Sequence, residues 1–176
     1  MPSYHILSMD GGGIRGLLTI IIIQRLEAAH PGFLDQIDLF AGTSTGGILA
    51  LGLAYGLSPE RIRGLYETSG RRVFADTILD DVRDLGKLIS PRYLSQLDAD
   101  WGLAQWAPQL VGMMLEGGAG LADYQSRQIL GERYMRVNSV LPVPIDLDGV
   151  EQIPLLQDIA NQVDIQPTLD WLNVHF

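Results

Sequence analysis

Two glycine-rich turns, each placed between a short apolar run and a longer helix-forming one, constrain this chain more than any other feature. The first is Asp10-Gly11-Gly12-Gly13-Ile14-Arg15-Gly16, which follows the run Tyr4 to Met9. The second is Gly42-Thr43-Ser44-Thr45-Gly46, which ends the run Leu39 to Gly42. A short continuous apolar run bounded by turn signals reads as a buried strand. A strand-turn-helix order that occurs twice in series predicts an α/β fold with a parallel sheet. Helices are expected from Ile14 to Ala29, ended by His30-Pro31-Gly32, and from Gly46 to Tyr55. The first is apolar on nearly every face, so it belongs in an interior despite its β-branched stretch Ile20 to Ile23. Ser58-Pro59-Glu60 then supplies an N-cap, a proline for the first helical position and an early acid, opening a helix that reaches about Thr68.

Beyond Arg83 the pattern is less regular. Ser90-Pro91 breaks the chain, and helices are expected over Trp101 to Leu115 and Leu121 to Gly131. Tyr134 to Val137 resembles a late strand and Pro142 to Gly149 a loop, with short helices after Pro154 and Pro167. No repeat or low-complexity tract interrupts this order. At 176 residues with 47% hydrophobic content, the whole of 1–176 is expected to form a single domain with one core.

Charge excludes some functions. The net charge of −9 disfavours nucleic-acid partners, which are held by clustered Lys and Arg. Apart from Lys87 the basic residues are all arginines, and Arg61/Arg63 and Arg71/Arg72 are interleaved with acids as on solvated helix faces. The absence of cysteine removes disulfides, thiolate metal sites and cysteine nucleophiles together. The N-terminus lacks the pattern of a secretory signal, and the longest apolar run, Leu17 to Ile23, is far short of the roughly 20 residues that span a bilayer. A cytoplasmic location, with no transmembrane segment and at most transient contact with a membrane surface, is the expectation.

Gly42-Thr43-Ser44-Thr45-Gly46 fits G-x-S-x-G, in which a serine sits on a sharp strand-to-helix turn. Side chains at the flanking positions would collide with neighbouring backbone, and the turn exposes the hydroxyl near a helix N-terminus that favours negative charge. Gly11-Gly12-Gly13-Ile14-Arg15-Gly16 also fits the G-x-G-x-x-G of a dinucleotide turn. That fold needs an acid ending a second strand, however, whereas Asp35 and Asp38 precede the strand at Leu39. Beside a serine elbow, the amides of such a glycine turn serve instead to stabilise an oxyanion.

The two motifs together, Asp-Gly-Gly-Gly-Ile-Arg-Gly at 10 to 16 and Gly-Thr-Ser-Thr-Gly-Gly at 42 to 47, resemble those of the patatin-like phospholipase family. The resemblance implies a patatin-like three-layer α/β fold with a central, mainly parallel sheet, and hydrolysis of lipid acyl esters by a Ser–Asp dyad in lipid catabolism. It implies Ser44 as nucleophile and Gly11, Gly12, Gly13 and Arg15 as the residues that form and brace the oxyanion hole, with Gly16, Gly42 and Gly46 as motif glycines. No metal or other cofactor is implied, and the substrate is a lipid or other acyl ester.

The tail, at Ala122-Asp123-Tyr124-Gln125, Tyr134-Met135-Arg136-Val137 and Ile145-Asp146-Leu147-Asp148, is similar to the C-terminal segment of bacterial members. Between the halves, 1–93 and 101–176, the family's Asp-Gly-Gly or Asp-Gly-Ala motif is not found, so the general base has no assignment. The break falls near 94–100, as an internal deletion, a gene-model error or a natural truncation would each place it. The fold is therefore expected to be incomplete, and with three expected strands the apolar helix at Ile14 lacks obvious cover, which predicts poor stability or a partner chain. Asp148-Gly149-Val150 is the nearest match to the absent motif and reads as a loop turn, while Asp98 and Asp100 are near the break but not placed as bases. Asp10 is expected to cap the glycine turn. His5, His30 and His175 are not placed by any motif to orient Ser44. Two functions follow: a patatin-like serine lipid acyl hydrolase, or a catalytically impaired remnant that binds lipid or a protein partner. A nucleotide-binding domain ranks third.

Overall fold

Where each glycine turn falls, a strand stops and a helix starts. In a computed structural model, which describes residues 3–70 and 118–176, β1 (Ile6–Met9) runs into a 3₁₀ turn at Gly13–Arg15 and then α1 (Gly16–Ala29). After a second 3₁₀ turn at Leu34–Gln36, β2 (Leu39–Gly42) leads into α2 (Thr45–Ala54), and α3 (Pro59–Gly70) follows. β1 and β2 pair in parallel, Ile6 with Leu39 through Met9 with Gly42, so α1 is the crossover of a βαβ unit. The fold is thus α/β with a parallel sheet, two-stranded among the described residues.

The chain divides into two compact units. The first comprises residues 1–75 and 135–176, the second 76–134. In the second, residues 118–130 are helical and end in a 3₁₀ turn at Gly131–Arg133; this helix is α4. Within it Arg127 pairs with Asp123 one turn earlier and lies over the Tyr134 ring. In the first unit, the chain after 135 forms a loop, a 3₁₀ turn at Val150–Gln152, then α5 (Ile153–Gln162) and α6 (Gln166–His175). The helix expected over Trp101 to Leu115, the break near 94–100, Asp98 and Asp100 lie outside the described residues.

The core gathers on α1. Ile14, Leu17, Ile20 and Ile21 are fully or almost fully buried, and so are Leu49 of α2 and Leu156 of α5. The cover that α1 was expected to lack is present, because α5 and α3 both pack along it and α2 touches it as well. An all-round apolar helix is stable only in this kind of enclosure, where burying each Ile or Leu side chain contributes about 1.5–3 kcal/mol. Arg25 locks the arrangement: its Nη1 donates to the carbonyls of Ala160 at 2.6 Å and Val163 at 2.8 Å, placing a cation at the C-terminal end of α5. Glu27 fixes the exit from α1, its two carboxylate oxygens accepting from the amides of Gly32 and Leu34.

Two strand expectations are corrected. Tyr4 to Met9 and Leu39 to Gly42 read as buried strands, yet Ile6 and Leu39 are 57% and 44% exposed. Leu7, Met9 and Phe40 face the core while Ile6, Ser8 and Leu39 do not, the alternation of a sheet packed on one side. The stretch at Tyr134 to Val137 begins in an extended conformation but joins no strand among the described residues. An extended segment becomes a strand only by pairing, and sequence pattern does not supply the partner.

Candidate active site

The elbow at Ser44 is strained. Its backbone has φ 50° and ψ −127°, and it has the only positive φ of a non-glycine residue among those described. Such a conformation costs about 1–3 kcal/mol and persists only where the surroundings enforce it. The enforcement is visible in the flanking glycines. A Cβ on Gly46 would run into the Met9 carbonyl oxygen and stand 2.7 Å from that of Asp10, and one on Gly42 would run into the Gly46 carbonyl. The turn is therefore wedged against the end of β1. Ser44 itself is exposed at the start of α2, with no hydrogen-bonding side chain on its hydroxyl among the described residues.

The glycine loop lies directly against this elbow. A Cβ on Gly11 would sit 2.6 Å from the Thr43 carbonyl oxygen and 2.7 Å from Cβ of Ser44. Two hydroxyls tie the loop down: the Gly11 amide donates to Thr43 Oγ1 at 3.0 Å, and the Gly12 amide to Thr45 Oγ1 at 3.2 Å. The Ile14 amide donates to the Leu147 carbonyl at 2.8 Å, and the Arg15 amide to the Gly12 carbonyl. The amides of Gly13 and Thr45 make no hydrogen bond to another described residue. Arg15 folds back, its Nε donating to the Gly12 carbonyl at 3.2 Å and bracing the loop from within. Gly16 is pressed against the Tyr66 hydroxyl of α3, leaving no space for a side chain.

Of the remaining candidates, Asp10 does not cap the turn: its Oδ2 accepts from Arg136 Nη2 at 2.5 Å, an ion pair reaching across to the C-terminal segment. Asp148-Gly149-Val150 does form a turn, with the Gly149 amide on the Asp146 carbonyl and the Val150 amide on that of Asp148. The preceding residue, Leu147, is closely packed on Gly13, whose φ of +58° already requires glycine. His5 is engaged elsewhere, its Nδ1 at 3.0 Å from the Gln36 carbonyl and its ring stacked on Phe176; His30 ends α1 and His175 ends α6.

Sequence reasoning assigned no part to Thr43, Thr45, Tyr66 or Leu147. The two threonines carried a readable signal, since hydroxyls on both sides of an elbow serine are placed to meet a neighbouring loop. Tyr66 and Leu147 carried none. Tyr66 is buried, and burial pushes its phenol up to about 12, an effect partly offset by the adjacent Thr45 hydroxyl. From Ser44 an exposed apolar line of Ile48, Leu51 and Tyr55 continues along α2 at helical spacing. No helix among the described residues is long and apolar enough to cross a membrane.

Residues 7–144 match the family described as Patatin-like phospholipase. A cGAMP-activated phospholipase of Pseudomonas aeruginosa is 42% identical over 76 residues, which are 42% of this chain and 22% of that protein. Phospholipase A I of Arabidopsis thaliana is 40% identical over 79 residues, 44% of this chain and 6% of its own length. The rat 85/88 kDa calcium-independent phospholipase A2 is 42% identical over 71 residues, 40% of this chain and 9% of that protein. The chain thus spans under a quarter of each of these relatives. No solved structure matches significantly.

Proposed function

The chain belongs to the patatin-like phospholipase family, and on that premise we propose that it hydrolyses acyl esters of lipids with Ser44 as nucleophile. Ser44 Oγ attacks the ester carbonyl, the alcohol leaves, and water releases the acyl group from the serine. The developing oxyanion is held by main-chain amides of the glycine loop and of the residue after the nucleophile, at the positive end of α2. Gly13 and Thr45 are the donors we assign, since their amides are not spent on other groups among the described residues. Gly11, Gly12 and Arg15 shape the loop that carries them. The exposed line Ile48, Leu51 and Tyr55 offers an acyl chain an apolar path leading away from the serine. The observation that carries this reading is the strained, exposed Ser44 packed against Gly11.

A second reading is favoured by one observation: among the described residues no carboxylate or imidazole hydrogen-bonds to the Ser44 hydroxyl. A nucleophile without its base loses several orders of magnitude in rate. On this reading the chain binds lipid or a protein partner and turns over slowly. Hydrolysis of a chromogenic short-chain ester by the wild-type chain and by Ser44→Ala separates the two. Hydrolysis well above that of Ser44→Ala supports the first reading, and equal rates support the second.

A further inference from the structure

The loop amides are not equivalent, and the difference lies in the two threonines that flank the nucleophile. Gly11 and Thr43 meet at the surface, where water can take the place of the Thr43 hydroxyl on the Gly11 amide. Gly12 and Thr45 meet in the interior, both residues buried, where the Thr45 hydroxyl is the acceptor that the Gly12 amide finds among the described residues. A buried amide must have an acceptor, so losing the Thr45 hydroxyl forces the loop to find another path. The hydroxyl has a buried neighbour. Tyr66, also buried, brings its phenol against Thr45 from α3, and the same phenol oxygen fills the space that a side chain at Gly16 would need. One tyrosine thereby touches both the start of α1 and the start of α2, on either side of the glycine loop.

We propose that Thr45, backed by Tyr66, is the positioning residue of the oxyanion loop: its buried hydroxyl holds the Gly12 amide and so sets where the neighbouring Gly13 amide stands relative to Ser44. This rests on Ser44 being the nucleophile, and it adds a residue that acts through the loop instead of touching substrate. Thr43 makes the same kind of bond but does not position the loop, because its partner is open to water. The residue type follows from the chemistry: serine at 45 keeps the hydroxyl, whereas valine keeps the shape and the main-chain N–H but removes the acceptor.

Two readouts test this on the full chain. The first is the rate at which a fluorophosphonate labels Ser44, measured against probe concentration. The second is hydrogen exchange at the Gly12 amide. Thr45→Val is expected to lower the maximal labelling rate about 100-fold with little change in half-saturating probe, as a misplacement near 1 Å does. It is also expected to speed Gly12 exchange. Thr45→Ser should stay within about threefold of wild type, and so should Thr43→Val, where water replaces the lost hydroxyl. Tyr66→Phe should move both readouts in the direction of Thr45→Val, and the double variant should fall no further than Thr45→Val alone. Gly12 exchange unchanged in Thr45→Val overturns the proposal, as does labelling that falls equally in Thr43→Val and Thr45→Val. Absence of labelling in the wild type would instead sink the nucleophile assignment, and Gly12 exchange would still decide whether Thr45 holds the loop.

Discussion

Gly11→Ala isolates the contact between the glycine loop and Ser44, the proposed nucleophile. The Gly11 backbone is not in the left-handed region, so alanine is permitted there, and the obstacle is space alone. Its Cβ would stand 2.6 Å from the Thr43 carbonyl oxygen and 2.7 Å from Cβ of Ser44. Relieving those contacts to ordinary van der Waals separation moves the loop about 0.8 Å away from the elbow. The same movement stretches the Gly11 to Thr43 hydrogen bond from its present 3.0 Å to beyond useful length. That bond is at the surface, so its loss costs about 1 kcal/mol or less once water replaces it. The displacement of the loop relative to Ser44 costs far more in rate, between about 10- and 100-fold. The assay is fluorophosphonate labelling of Ser44 at several probe concentrations, with thermal unfolding alongside. The expected outcome is a folded variant, its melting temperature lowered by a few degrees, that labels at least about tenfold more slowly. Labelling within twofold of wild type would refute the inference that loop and nucleophile form one geometric unit.

Leu156 on α5 is fully buried, so Leu156→Ala should cost about 2–5 kcal/mol in urea denaturation. A loss below about 1 kcal/mol would mean that the C-terminal helices do not cover α1. Tyr66 gives a pH signature. Its phenol is raised to about 12 in the folded chain and titrates near 10 when unfolded, so its contribution is whole below pH 10 and is lost as pH rises toward 12. Wild type should therefore lose up to about 2 kcal/mol of stability across that window beyond the loss shown by Tyr66→Phe, and parallel curves would contradict the burial of that phenol.

Both strand-turn-helix units were legible because their punctuation is local. Ser58-Pro59-Glu60 opens α3 where expected, with the Ser58 hydroxyl on the Arg61 amide, and the glycine turns mark where β1 and β2 stop. The one-sided burial of the sheet was not legible. Ile6 and Leu39 look like core strand residues, yet both are exposed, because the strand alternation turns Leu7, Met9 and Phe40 toward the core instead. The cover on α1 was equally hidden, since Leu156 and Ala160 lie far along the chain and the bond from Arg25 to Ala160 joins residues that no local pattern relates. Around Ser44, the motif text singled out the serine and the glycines as candidates. It could not say which amides are occupied, because that depends on Leu147 arriving from a distant segment and on how the elbow threonines Thr43 and Thr45 turn toward the loop. Asp10 misled for a similar reason: an aspartate before a glycine turn is a natural cap, but an arginine at 136 takes its carboxylate instead.

Hydrolysis as proposed for this chain requires that Ser44, bent onto its strained turn beside Gly11, be the group that attacks. Mass spectrometry of the intact chain and its peptides after treatment with a fluorophosphonate tests that directly. The account predicts one adduct, on the peptide containing Ser44, that is absent from Ser44→Ala and from protein unfolded in urea before treatment. An adduct on another residue, or equal labelling of folded and unfolded chain, would contradict it.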